Sequence, residues 1–329
     1  MPPLPSRPLG TTGLTTTRLG LGLAALGRPG YVNLGHGDDL GPDKSEEALA
    51  DRCLRMLDHA ASLGIGYVDV ARSYGLAEAF LARWLAERKP TPRPLVGSKW
   101  GYAYTAGFRV EAAVHEAKEH SLARFEAQLR ESRALLGGDL RLYQIHSATT
   151  ESGVLANGEV LDALGRLRDE GVVVGLSTSG VDQAETIRKA LGITRGGAPL
   201  FGCVQATWNL LEPSAGEALA EAHARGVGVL VKEGVANGRL AGRGDDPAAS
   251  WLAAEAERLG TRPDVLALAA ALAEPWVDVV LSGAATPEQL ESNVLALSVD
   301  IARADVEGMG RLAEPPATYW GKRRALAWN

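Results

Sequence analysis

The chain has 329 residues, of which 46% are hydrophobic and only 5% aromatic, so it can bury a large core packed mainly by aliphatic side chains. A formal net charge of −6 argues against a surface built for nucleic-acid phosphates or an anionic membrane. Cys53 and Cys203 sit in a helical and a strand-like run, which predicts buried free thiols in a reducing compartment, and no Cys/His spacing predicts a metal site.

The N-terminal "MPPLPSRPLG" is proline-rich without an apolar stretch and does not read as a signal peptide, and no apolar run is long enough to span a bilayer. A cytoplasmic location is the expectation. "RLGLGLAAL" reads as a first strand. From Gly20 it also imitates the G-x-G-x-x-A dinucleotide fingerprint, with Asp38 and Asp39 at roughly the expected distance. That motif requires a helix to open directly on the turn, and the breaker-rich "GRPGYVNLGHGDDLGP" follows instead, so a strand with a long loop is favoured. Amphipathic helices are predicted at "SEEALADRCLRMLDHAASLG", "EAFLARWLAERK" and "SLARFEAQLRESRALLG". Further strands are predicted at "GIGYVDV", "RPLVGSKW", "LRLYQIHSA", "EGVVVGLS", "PLFGCVQATW", "RGVGVLVKE" and "PWVDVVLSG". Several of these follow a glycine that ends the preceding helix, and their β-branched runs suit strands buried on both faces. The count of about eight strand–helix units is the number that closes a parallel (β/α)8 TIM barrel of the α/β class, in a single domain over residues 1–329.

In such a barrel, functional side chains collect at the C-terminal ends of the strands. Those ends carry Asp69 and then Tyr74, Lys99, His146, Ser177, Gln205, Lys232 and Ser282. Each alone has a dull explanation, as a cap, a surface charge or packing. An acid, a phenol, an ammonium and an imidazole gathered on adjacent strands make the dull reading the weaker one.

At this point the sequence resembles the aldo-keto reductases. "VDVARSYG" is similar to the family's D-x-A-x-x-Y-G segment, "GSKWG" to its lysine strand, "LYQIHSA" to its histidine strand and "VVLSGAATPEQLESN" to its C-terminal cofactor segment, in family order from about Leu9 to Ala296. The resemblance implies reduction of an aldehyde or ketone by a nicotinamide cofactor, with Asp69, Tyr74, Lys99 and His146 in the catalytic positions. A free phenol has a pKa of about 10 and is a slow acid near neutrality. Lys99, steered by Asp69, is expected to lower it, while His146 orients the substrate oxygen and Tyr74 is the general acid.

The resemblance further places Ser177 and Gln205 on the nicotinamide carboxamide and Asn293 on the adenine, with Ser282, Gln289 and Lys232 on the cofactor face. Two positions depart from the family pattern. Lys232 stands where many members carry an aromatic that stacks on the nicotinamide, a role Trp208, also expected on the substrate pocket, could take over. Gln289 stands where many have an arginine for the 2′-phosphate, and residues 281–299 contain no Lys or Arg, leaving Arg239 or Arg243 as possible sources. NADP(H) is the family default and NAD(H) remains open. Trp100, Tyr102 and Tyr104 could wall a substrate pocket or form a loop packing on itself, and the tail with Trp320 and Trp328 could close over the same face or join an oligomer. The expected partner is a small carbonyl substrate, with neither nucleic acid nor membrane, and the oligomeric state is open. The alternatives are a nicotinamide-binding regulatory module resembling potassium-channel β subunits, and a sugar-oxidising or redox-neutral variant.

Overall fold

Eight short parallel strands follow one another in chain order and close on themselves: β1 (Leu19–Gly22), β2 (Tyr67–Asp69), β3 (Leu95–Trp100), β4 (Leu140–Ala148), β5 (Val173–Thr178), β6 (Cys203–Thr207), β7 (Gly228–Lys232) and β8 (Val279–Ser282). They belong to a computed structural model that describes residues 4–243, 246–301 and 303–329. Helices α1 (Glu46–Ser62), α2 (Ala77–Arg88), α3 (Leu122–Leu136), α4 (Gly158–Asp169), α5 (Gln183–Leu191), α6 (Gly216–Ala224), α7 (Pro263–Ala273) and α8 (Pro287–Leu295) return the chain between strands, α8 following the last. This is the (β/α)8 barrel expected from the strand count. Each predicted strand and helix is present. Several helices start on a side-chain cap, such as Ser45 accepting from Ala48 N at 3.3 Å and Ser121 from Arg124 N at 3.1 Å. Helix α1 buries Leu49, Cys53, Met56, Leu57 and Ala60, the three-to-four-residue spacing of a stripe facing the barrel.

Inside the barrel, the Tyr67 ring fills the axis between two glycines. A Cβ at Gly97 would stand 2.2 Å from its hydroxyl, and one at Gly20 would stand 2.7 Å from its ring. Leu9, Leu14, Leu142, Cys203, Leu230, Val279 and Leu281 complete this inner cluster. Gly20 is therefore a packing glycine, and the dinucleotide-like "GLGLAALG" is a barrel strand, as its breaker-rich sequel implied. A hairpin, Ser6–Pro8 with Thr15–Thr17, closes the N-terminal end of the barrel. It is pinned where Asp278 accepts from Val229 N (2.9 Å) and Gly10 N (3.2 Å) and pairs with Arg7 (3.0 Å). Among the described residues no helix is long and apolar enough to cross a membrane.

Above the opposite end lie three additions that periodicity did not reveal: the hairpin Tyr102–Tyr104 with Glu116–Lys118, the loop running from Gly27 through the short helix His36–Leu40, and the tail containing the helix Pro316–Arg324.

Candidate active site

Strand register sets the site. Asp69 ends β2 beside Gly97 of β3, and Lys99 lies two residues further on, on the same face. The loop after β2 then carries Tyr74 back over the barrel. Its path is fixed by a reciprocal glycine contact, because a Cβ at Gly27 would lie 2.2 Å from Tyr74 O and one at Gly75 (φ +60°) would lie 2.3 Å from Gly27 O. Leu76 N donates to Gly27 O at 2.7 Å. The glycine after the tyrosine is thus a steric requirement of the loop that aims it.

The Lys99 ammonium has three N–H donors and no acceptor. One goes to Asp69 Oδ1, one to Val70 O at 3.1 Å and one to Tyr74 Oη at 3.2 Å. Asp69 Oδ2 accepts in turn from Gln205 Nε2 (2.9 Å) and from Tyr67 Oη (3.2 Å). The His146 ring stands edge-on to Tyr74, with centroids 5.5 Å apart, and its Nδ1 lies 3.3 Å from Ser73 Oγ. The structure therefore brings together all four residues expected at the catalytic positions.

Electrostatics departs from expectation in one respect. Burial, reinforced by Asp69 and opposed by Arg28, pushes the Tyr74 phenol well above its ordinary value. The depression expected from Lys99 does not dominate, because Lys99 is ion-paired with Asp69 and the pair presents little net charge to the phenol. Burial, with Lys99, Lys232 and Arg28 nearby, drives His146 well below the usual imidazole range. The resting site holds a neutral phenol and a neutral imidazole.

A cleft runs from Asp69 and Tyr74 past Gln205, Lys232 and Ser282 to Gln289 and Asn293. One wall is the loop after β7, where Glu233, Ala236 and Asn237 all have positive φ (58°, 49° and 56°) and the Gly234 and Val235 amides donate to no described residue. Non-glycine residues in that conformation are strained, and amides turned in this way form anion-binding nests. At the far end, Asn293 accepts from Ser282 Oγ (2.7 Å) and donates to Asp264 (3.2 Å), while Gln289 Oε1 accepts from Ala285 N. Arg243 lines the cleft but is held by both oxygens of Asp39 (2.7 and 2.8 Å), and Arg239 is taken by Asp246 and Glu314.

Three expected positions fall elsewhere. Trp100 is fully buried with its ring against Phe125 of α3 (5.0 Å) and His120 (5.7 Å), so it walls no pocket. Strand alternation is the reason, since Lys99 points inward and its successor must point outward. Trp208 packs against Trp276 (5.8 Å), away from the cleft, and does not replace a stacking aromatic. Ser177 is buried and accepts from Ser147 N at 2.8 Å, beside His146 but off the cleft wall. Tyr102 meets the His146 ring at 5.0 Å, and Tyr104 follows on the same face of the hairpin.

Sequence reasoning missed Arg28, Tyr31 and the role of the tail. The Arg28 guanidinium lies over the rings of Trp328 (4.8 Å), Tyr31 (5.0 Å) and Tyr74 (5.4 Å) and pairs with Glu116 at 2.7 Å. Trp328 stacks on His115 at 4.0 Å, and Asn329 exchanges backbone hydrogen bonds with Tyr31 (3.1 and 3.2 Å). The tail closes over the site face, the first of the two options left open. No spacing in the sequence links positions 28 and 328.

Comparison with known proteins agrees with this fold. Residues 18–314 match the family model "Aldo/keto reductase family". The chain is 25% identical to an NADH-specific methylglyoxal reductase of Escherichia coli (strain K12), over 93% of this chain and 98% of that protein. Its fold is similar to that of an aldo-keto reductase from Bacillus halodurans in its holo form, with a TM-score of 0.73 at 24% identity over 95% of this chain and 97% of the other. It is also similar to a structure from Pseudomonas aeruginosa described as an aldo-keto reductase, with a TM-score of 0.65 at 25% identity over 89% and 94% of the two chains.

Proposed function

Because the chain belongs to the aldo/keto reductase family and is an oxidoreductase of the nicotinamide-dependent kind, we propose that it reduces a small aldehyde or ketone, a 2-oxoaldehyde in the first instance, with NADH preferred over NADPH and Tyr74 as the proton donor. The observation that carries this reading is the spending of the Lys99 donors. Since Tyr74 Oη accepts from Lys99, the phenol's own proton is left to face the cleft. When bound, a reduced nicotinamide supplies the hydride. The residues present fit such a group: the unpartnered Gly234 and Val235 amides would take the pyrophosphate, Gln205 beside Asp69 would face the nicotinamide, and Ser282, Asp264, Gln289 and Asn293, which lie together at the far end, would face the adenosine.

Tyr74 delivers its proton to the carbonyl oxygen, and the Lys99 ammonium stabilises the phenolate that remains. The Ser73 hydroxyl beside Nδ1 positions the His146 ring, whose other nitrogen, Nε2, hydrogen-bonds the substrate oxygen as charge develops. The NADH preference is supported by the commitment of Arg243 to Asp39, by Asp264 in the cleft wall and by the absence of a basic residue from 281 to 299. A 2′-phosphate there would meet carboxylates and no free cation. The 2-oxoaldehyde is suggested by the E. coli relative, an NADH-specific methylglyoxal reductase.

The test is steady-state turnover of methylglyoxal and simple aldehydes, followed by nicotinamide absorbance with each cofactor. NADH should give a kcat/KM at least tenfold above NADPH, because a 2′-phosphate set against carboxylates with no free cation among the described residues is repelled. Tyr74→Phe should cut turnover by about 10²–10⁴-fold with cofactor affinity nearly unchanged. A Tyr74→Phe enzyme at near-full activity would remove Tyr74 as the acid, and a preference for NADPH would overturn the cofactor assignment.

A further inference from the structure

We propose that Lys232 makes the cleft discriminate between the two redox forms of its own cofactor, so that reduced nicotinamide is held more tightly than oxidised. The inference rests on the cofactor reading given above and adds a residue whose effect depends on the charge of the bound ring.

Lys232 ends β7 and lines the same stretch of cleft as Tyr74, Asp69 and Gln205. Its Nζ donates to Thr207 Oγ1 at 2.7 Å, stands 3.7 Å from Glu233 and lies 5.9 Å from the centre of the Trp320 ring. Glu233 does not cancel this charge, because it is already held by Arg323 in a forked pair (2.6 to 3.1 Å) and by Tyr319 Oη at 3.3 Å. Around the chemistry end, three cations (Lys99, Lys232 and Arg323) face two carboxylates (Asp69 and Glu233), and Arg28 is balanced by Glu116. Among these directly paired groups the cations exceed the carboxylates by one, Glu212 standing behind the Trp320 ring, and Lys232 is the cation whose counter-ion is shared.

The two nicotinamide forms have nearly the same shape, but the oxidised ring carries a positive charge and the reduced ring does not. A uniform contact holds both equally, whereas a cation excess in a partly desolvated cleft opposes only the oxidised one. Burial that pulls the Lys232 amine down to about 8 reflects the same crowding and still leaves it largely protonated at neutral pH. The consequence is a site that expels NAD⁺ after hydride transfer.

Calorimetric titration of the full chain with NADH and with NAD⁺, without substrate, tests this directly. The native protein should bind NADH at least tenfold more tightly than NAD⁺. In Lys232→Met, NAD⁺ affinity should rise about tenfold while NADH affinity changes less than threefold. Lys232→Arg, which keeps the charge, should retain the native ratio, and melting curves confirm that each variant folds. Equal weakening of both forms in Lys232→Met, or an unchanged ratio, overturns the proposal by showing a packing role alone. Failure of the native protein to bind either form overturns the cofactor reading itself and this inference with it.

Discussion

At the residue scale, the site is governed by counting donors. Lys99 has three, and the structure gives it three acceptors, so the tyrosine oxygen is obliged to receive one and to offer its own proton outward. This was legible as a set of residue types in the sequence, but the direction of the phenol's titration was not, because it depends on burial and on the Asp69 partner that neutralises Lys99. Lys99→Met should therefore damage stability as well as turnover. It strands a buried carboxylate, a loss of about 3–5 kcal/mol when a buried pair is broken, moderated because Tyr67 and Gln205 still donate to Asp69. In urea unfolding, adding Asp69→Asn to Lys99→Met should recover at least half of that loss. Turnover should stay low, since the phenolate then lacks its cation.

At the element scale, the loops are keyed to one another. Gly75 holds φ +60° and touches Gly27 O, so Gly75→Ala combines left-handed strain of about 1–2 kcal/mol with a clash. Displacing the loop that aims Tyr74 should lower kcat by up to about 10²-fold for a shift near 1 Å. Gly13→Ala, at φ +76° with open space around it, is the control that carries the strain without the clash or the kinetic effect. The Asp39–Arg243 clasp makes a second prediction. Asp39→Asn keeps the shape but loosens the guanidinium, and kcat/KM with NADPH should rise about tenfold relative to NADH. Elements were the best-read level of this molecule, since glycine-ended helices feeding β-branched runs mark several of the βα units. The two misplaced tryptophans show what was overlooked. With Lys99 and Thr207 facing inward, period-two alternation already sends Trp100 and Trp208 outward.

At the scale of the whole molecule, the hidden part is the roof, built from Arg28, Tyr31, the hairpin after β3 and the tail, whose partners lie up to about 300 residues apart and leave no periodic trace. Beneath the roof lies a pH sensitivity. Burial pushes His36 and His120 down to about 4, and His146 lies well below its usual range too. The unfolded chain binds these protons below about 6.5 while the folded chain does not until about 4, so stability is lost as pH falls through that window. Near pH 5 each histidine should cost about 2 kcal/mol, seen as a falling Tm between pH 7 and 5. His36→Phe, which loses no hydrogen bond because both ring nitrogens lack a partner among the described residues, should make that fall shallower.

The Tyr67 ring, wedged between Gly20 and Gly97 with Leu142 and Leu230 around it, also has a bearing on how the enzyme breathes protons. It stoppers the barrel directly below Asp69, and among the described residues the phenol faces the cleft on the roof side. With Tyr74 as the proposed donor, each proton given to product must then be replenished through the doorway the product leaves by, and the catalyst recharges only after it has emptied. Proton uptake measured with an indicator dye in a single turnover should accordingly trail product departure, and should slow in step with it as solvent viscosity rises.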